Sequence, residues 1–120
     1  MLIKNEEGVK QIITALSIMD IVAHTSNIVD IRGYSRKALY VNNGLNQSVS
    51  IQIQGCYTNS PTDTDWVNIG TAQAVSASTK SVIGVNEVPA LNNYFPYLRV
   101  TATCSIAPTT QALDVYLMVG

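Results

Sequence analysis

Charge is what this sequence has least of. Asp, Glu, Lys and Arg make up 12% of its 120 residues, about half the usual share, and none of them falls between Ala38 and Thr62. Polarity is carried instead by Ser, Thr, Asn and Gln. A net charge of −1 with seven dispersed Lys and Arg supplies no basic patch of the kind that phosphate contacts require, which excludes nucleic acid as a partner. Apolar runs are short and interrupted, so no membrane-spanning helix and no secretory segment after Met1 is expected. The N-terminal apolar stretch also lacks the basic polar face of a membrane-surface helix. The expectation is a chain made in the cytoplasm, with no membrane partner.

Histidine and cysteine are equally scarce. His24 is the single histidine, so a histidine-based triad would need it as base, beside a nucleophile and an orienting acid. No nucleophile elbow or oxyanion loop surrounds it, and it reads as a solvated turn residue in His24-Thr25-Ser26-Asn27. Cys56 and Cys104 match no metal-ligand spacing. Alternation places Cys104 inward with Leu98, Val100 and Ala102, and Cys56 outward with Gln52 and Gln54, so two free thiols are expected. Asp63 and Asp65 look like half of a calcium loop, but the glycine and glutamate that complete one are missing, and turn chemistry is the stronger reading. There is no phosphate-cradling glycine loop. The expectation is a protein that is not an enzyme and holds no cofactor or metal.

What the sequence does have is period-two alternation. Val49, Ile51 and Ile53 alternate with Ser48, Ser50, Gln52 and Gln54. Leu39 and Val41 alternate with Ala38, Tyr40 and Asn42. Between these runs Asn42-Asn43-Gly44-Leu45-Asn46 has turn chemistry, and the pattern predicts a β-hairpin. A two-residue Asn43-Gly44 loop would set Leu39 against Ser48, apolar against polar on one face. The connection therefore requires a turn of three or five residues, a bulge, or a crossing between two sheets.

The same alternation predicts strands over Leu98–Cys104 and Leu113–Val119, joined by a hairpin connection over Ser105–Gln111, and shorter strands over Ile28–Ile31, Trp66–Gly70, Ala72–Val75 and Ser81–Val85. Pro61 marks a loop before Trp66, and Phe95, Pro96 and Tyr97 read as a plug at a strand start. Trp66 reads as an anchor of the core or its rim, with a sugar-stacking platform of Trp66, Tyr57 and Tyr94 as the sharper alternative. Residues 5–18 fit two patterns. Val9, Ile12, Ile13 and Leu16 have helical spacing behind an Asn5-Glu6-Glu7 start, whereas Gln11 to Ile18 is β-branched and alternates as a strand. The division adopted is an N-terminal arm over residues 1–11 and one sandwich domain over 12–120, with a strand from Ile12 to Val22. Seven or eight short strands at this spacing predict an all-β, two-sheet antiparallel sandwich of the jelly-roll type.

The phrases DIRGYSRKALYVNN, VSIQIQG, DWVNIG, YFPYLRVTAT and APTTQALDVYLM, in this order, resemble the jelly-roll capsid decoration, or cement, proteins of tailed bacteriophages. The likeness covers Val22 to Gly120 and lies in strand phrasing; similar phrasing occurs in phage fibre and bacterial surface proteins. Pro61-Thr62-Asp63-Thr64-Asp65 stands where an Asp-Gly turn commonly precedes the tryptophan. The resemblance implies a non-enzymatic virion protein on the outer capsid surface, commonly a homotrimer, that holds neighbouring major capsid protein subunits together. On this reading the residues expected to make protein contacts are Leu2, Ile3 and Val9 of the arm, together with Tyr40, Ser48, Ser50, Gln52 and Gln54 on one uncharged face. A carbohydrate- or receptor-binding sandwich of a phage fibre or bacterial surface is the alternative, with a glycan as its partner.

Overall fold

A computed structural model describes residues 2–3, 8–62 and 64–120. Among them the chain forms eleven strands: β1 (Leu2–Ile3), β2 (Gly8–Leu16), β3 (His24–Thr25), β4 (Ile28–Asp30), β5 (Lys37–Asn43), β6 (Val49–Cys56), β7 (Trp66–Asn68), β8 (Gln73–Val75), β9 (Thr79–Ile83), β10 (Tyr97–Thr103) and β11 (Leu113–Val119). One sheet runs β2-β11-β5-β9. The other runs β1-β4-β10-β6-β7, with β3 also on β10 and β8 also on β6. Pairing is antiparallel except where β1 lies parallel to the edge strand β4.

β3 and β4 are two halves of one interrupted strand along β10, and β7 and β8 are two halves of another along β6. Counted so, the chain crosses from one sheet to the other at every connection from β2 onward except that from β6 to β7. That is the jelly roll, two antiparallel sheets packed face to face.

The core follows from alternation. Leu39 and Val41 of β5, Val49, Ile51 and Ile53 of β6, Leu98, Val100 and Ala102 of β10, and Leu113, Val115 and Leu117 of β11 are 0–1% exposed. Burying each large aliphatic among them stabilises the fold by roughly 1.5–3 kcal/mol. At one end Phe95 is buried against the sheet, where a Cβ on Gly55 would stand 2.8 Å from its Cδ2. Phe95 and Tyr97 thus plug that end, as the aromatic-proline cluster predicts.

Two predicted hairpins are crossings. β5 pairs with β11 and β9, whereas β6 pairs with β10, β7 and β8, so residues 44–48 pass between the sheets. Crossing resolves the parity conflict, because Leu39 and Val49 both face the core without facing each other. Buried Asn43 stitches the crossing together: its Nδ2 donates towards the carbonyls of Gln47, Val75 and Ser76, each at 3.1 Å, and its Oδ1 accepts from Leu45 N at 3.0 Å. The segment from Ser105 to Gln111 likewise connects β10 to β11 across the sandwich.

The N-terminal segment is β rather than helical where it is described. β2 begins at Gly8 and ends at Leu16, not from Ile12 to Val22, so residues 8–11 lie in the sheet rather than in an arm. Its register against β11 shifts between Leu113 and Tyr116. At this bulge Ala15 has φ 43, and Asp114 Oδ1 accepts from Ala15 N at 2.8 Å. Asn5-Glu6-Glu7 lies outside the described residues.

Candidate functional surfaces

A sandwich offers two outer sheet faces and two loop ends, and these four surfaces differ sharply in chemistry. On the sheet containing β10, the register aligns Asp30, Tyr97, Cys56 and Trp66 in one row, and Arg99, Gln54 and Asn68 in the next. Arg99 Nε donates to Gln54 Oε1 at 2.8 Å, and its guanidinium lies 4.4 Å from the centre of the Trp66 ring. Gln54 Nε2 donates to Asn68 Oδ1 at 3.0 Å, and Gln52 Nε2 donates to the carbonyl of Ile53 at 2.8 Å and towards Gly70 O at 3.3 Å. The amides of this face are satisfied within the chain, whereas the buried Trp66 Nε1 has no hydrogen-bond partner among the described residues.

The segment after β6 folds back over the same row. Tyr97 Oη donates to Asn59 O at 3.1 Å, and Cys56 Sγ lies 3.2 Å from Thr58 Oγ1. Cys56 is therefore on the outward register but fully buried, a correction to the simple alternation; it and buried Cys104 are free thiols. Burial pushes the Cys104 thiol up. Asp65 Oδ2 accepts from Thr62 Oγ1 at 2.7 Å, so it serves the turn; Asp63 lies outside the described residues. At the edge of the sheet Arg32 Nη2 donates to Asp30 Oδ2 at 2.6 Å and holds the Asp30 carboxyl below its ordinary range.

The outer face of the β2-β11-β5-β9 sheet is apolar. Val9, Met118 and Ala38 form one row; Gln11, Tyr116, Tyr40 and Val82 form the next; Asp114, Asn42 and Lys80 form the third. Val9 is 68% and Val82 56% exposed, and the Tyr40 and Tyr116 rings pack with centroids 5.8 Å apart.

The two ends differ as well. Loops 17–23, 44–48, 76–78 and 104–112 gather at one end, where Met19, Ile21, Val22 and Ile106 are each more than half exposed. A cleft of about 420 Å³ there is lined by Ile21, Ser48, Ser50, Ala74, Thr103, Cys104 and Ser105. At the other end Tyr34, Ser35, Lys37, Asn92, Asn93 and Tyr94 line a smaller cleft of about 210 Å³, and Tyr94 is 70% exposed. Lys37 Nζ donates to Asn93 O at 3.3 Å and lies 5.0 Å from the Phe95 ring centre.

The sequence-predicted contact residues do not form one surface, because β5 and β6 belong to different sheets. Val9 and Tyr40 meet on the apolar face. Gln52 and Gln54 lie on the self-satisfied face, and Ser48 and Ser50 line the cleft beside Ile21. Leu2 and Ile3 extend the chain's own sheet through β1, where they pair with Ile28 and Val29. Trp66 lies under the Arg99 guanidinium, and the Tyr57 ring packs against Phe95 with centroids 6.0 Å apart. His24 is not simply solvated: it lies in β3, and its Nε2 is 2.7 Å from Asp20 Oδ1, which holds the Asp20 carboxyl below its ordinary range. Among the described residues no three His, Cys, Asp or Glu side chains group as a metal site. Sequence reasoning missed Met19, Ile21, Val22 and Ile106. Their signal is the segment Met19-Asp20-Ile21-Val22, apolar but for Asp20, which does not continue the alternation of β2.

No protein-family model matches the chain, and no curated protein does. Solved structures do resemble it. The PBSX exported protein XepA superposes with a TM-score of 0.62 at 14% identity, over 93% of this chain and 36% of that one. What is shared is the sandwich fold. A family 6 carbohydrate-binding module gives 0.51 at 11% identity over 98% of this chain and 96% of the module. A chain of the complex of reduced XRCC1 with the DNA polymerase β catalytic domain gives 0.51 at 6% identity, over 82% and 76%. The chain spans about a third of the XepA chain's length. At these identities the likeness concerns architecture, and unrelated functions use it.

Proposed function

We propose that this chain is a non-enzymatic structural protein of a tailed-phage virion that decorates the outer capsid surface and bridges major capsid protein subunits. The observation that carries the reading is the apolar end. Four large side chains, Met19, Ile21, Val22 and Ile106, stand more than half exposed there, beside a cleft whose other walls are neutral. Large exposed apolar side chains gathered at one loop end, beside a neutral cleft and the Asp20–His24 pair, are what a protein-binding surface presents. The jelly-roll topology agrees with the family that the strand phrases resemble.

The test is binding of the purified chain to expanded, empty capsids of the phage whose genome carries it. Saturable binding that Ile21→Asp and Ile106→Asp weaken at least about tenfold is the expected result, since a buried unpaired charge is costly at an interface. No binding to capsids would overturn the reading.

A second reading is favoured by the other end. Tyr34 and Tyr94 beside the amides of Asn92 and Asn93 and the Ser35 hydroxyl combine ring faces with neutral hydrogen-bonding groups, the chemistry that holds a sugar. Saturable glycan binding lost in Tyr94→Ala, with none to capsids, would establish the carbohydrate-binding alternative instead.

A further inference from the structure

We propose that the outer face of the β2-β11-β5-β9 sheet is a two-fold contact between two copies of this chain. The inference stands on strand register and does not depend on the virion reading. The face is apolar at its centre; Asp114 on β11, Asn42 on β5 and Lys80 on β9 form one polar row, and Arg36 and Glu87 stand at the opposite end, lining a cleft with Ala38 and Val82. Within one chain Asp114 and Lys80 are two strand spacings apart, about 10 Å, with side chains that rise side by side from the sheet instead of towards each other. Asp114 Oδ1 accepts from Gln11 Nε2 and Ala15 N, and Lys80 makes no ion pair among the described residues.

A two-fold axis parallel to the strands and running along β5 exchanges the positions of β11 and β9. It lays each copy's Asp114 opposite the other's Lys80, with the pair made twice. The same operation sets Tyr116 against Val82 and brings Tyr40 towards its own counterpart on the axis. Met118 then faces the stretch after Val82, where Gly84 leaves room. Two sheets packed in this way stand about 10 Å apart with strands roughly aligned. Under this operation the Asp114–Lys80 row and the apolar rows are complementary to themselves, as an isologous interface requires; the two copies of Arg36 meet near the axis at the far end, where Glu87 lines the same cleft as Arg36. A three-fold ring would need two different surfaces, whereas this register matches one surface with itself.

The experiment uses the full chain. Sedimentation equilibrium should give a dimer, twice the 13.0 kDa chain mass. Lys80→Glu sets acid against acid and should weaken pairing about tenfold or more. Lys80→Glu combined with Asp114→Lys should restore it. Lys80 is exposed, and circular dichroism of the variant checks that the fold is intact. A short bis-maleimide cross-linker then locates the axis, because the native thiols are buried. Asn42→Cys lies on β5 and should link copy to copy; Val9→Cys, on the far strand β2, should not. A monomer or trimer, unchanged pairing in Lys80→Glu, or linking at Val9 rather than Asn42 would overturn the proposal.

Discussion

Replacing Asn43 by Ala should cost about 3–5 kcal/mol, because its amide holds the crossing from β5 to β6 from inside the protein. Asn43 is 1% exposed. One NH₂ group with two protons serves three carbonyls, those of Gln47, Val75 and Ser76, so two good bonds are shared among them. Val75 O also accepts from Ser48 Oγ at 3.2 Å and keeps a partner without Asn43. The groups left without one are Leu45 N, Gln47 O and Ser76 O. At about 1–3 kcal/mol for each buried group left unsatisfied, less whatever water recovers for the part-buried Gln47 and Ser76 carbonyls, the sum falls in the stated range. That is a large part of a typical stability of about 5–15 kcal/mol. For a chain of this length it corresponds to a fall in Tm of roughly 10–20 °C. Paired urea and thermal melts of wild type and Asn43→Ala measure it. A loss below about 1 kcal/mol would show that the amide does not stitch the loops together, and the account of the crossing would fail with it.

Gln52→Glu should destabilise by about 1 kcal/mol: it removes the amide donor to Ile53 O, which keeps Ile69 N as a partner at 2.8 Å, and sets a carboxylate beside the exposed Gly70 carbonyl. Urea melts that overlay wild type would refute this. Gly55→Ala should cost about 1–3 kcal/mol, because the new Cβ lands 2.8 Å from Phe95 Cδ2 and 3.1 Å from Ile69 Cδ1. Adding Phe95→Leu should recover part of that loss, and a double-mutant cycle showing strict additivity would exclude the clash. Asp30 gives the pH prediction. Its folded-state carboxyl is held low by Arg32, so the pair stabilises fully above the unfolded value near 3.9 and is lost as pH falls through the lower folded value. Asp30→Asn should lower neutral-pH stability by about 1–2 kcal/mol and flatten the acid limb below about pH 4. An unaltered acid limb in that variant would count against the pair.

The strands were legible where one face of a strand is buried and the other is not. Leu39/Val41, Val49/Ile51/Ile53, Leu98/Val100/Ala102 and Leu113/Val115/Leu117 fall at the predicted places, because a period of two is local information. Which strand lies beside which is not local. Leu39 is opposite Leu117 and Ile83, about 80 and 40 residues away along the chain, and nothing within residues 38–55 reports that. The parity conflict at Asn43-Gly44 was the one local sign that β5 and β6 part company. β2 misled for a definite reason. Its bulge buries the consecutive residues Ile12 and Ile13, and the inserted residue converts alternation into the Val9, Ile12, Ile13, Leu16 spacing of a helix. The placement of the residues expected to make contacts was half legible. Val9 and Tyr40 lie on an exposed apolar face, but Gln52 and Gln54 are occupied by their own neighbours, and a sequence does not show which amides already have partners.

That last point changes what the uncharged stretch from Ala38 to Thr62 means. A run without charge looks like a surface kept neutral to meet a partner, yet most of its amides bond within the chain: Asn43 inside the crossing, Asn46 to Thr109 at 2.9 Å, Gln52 to the carbonyls of Ile53 and Gly70, and Gln54 between Arg99 and Asn68. Neutral donors and acceptors are suited to this task, since a charge held at the same positions would need a counter-charge or water to be tolerated. The scarcity of charge is thus first a property of how the loops and the β10-containing sheet are fastened. The surfaces still to be satisfied are those where side chains have no polar means of satisfying one another: the Tyr40, Tyr116, Met118 and Val82 face, and the Met19, Ile21, Val22 and Ile106 end. These two surfaces lie on different parts of the sandwich, so a copy paired through the first keeps the second available. A bridging protein needs that arrangement, because self-association and attachment can then proceed without competing for the same side chains.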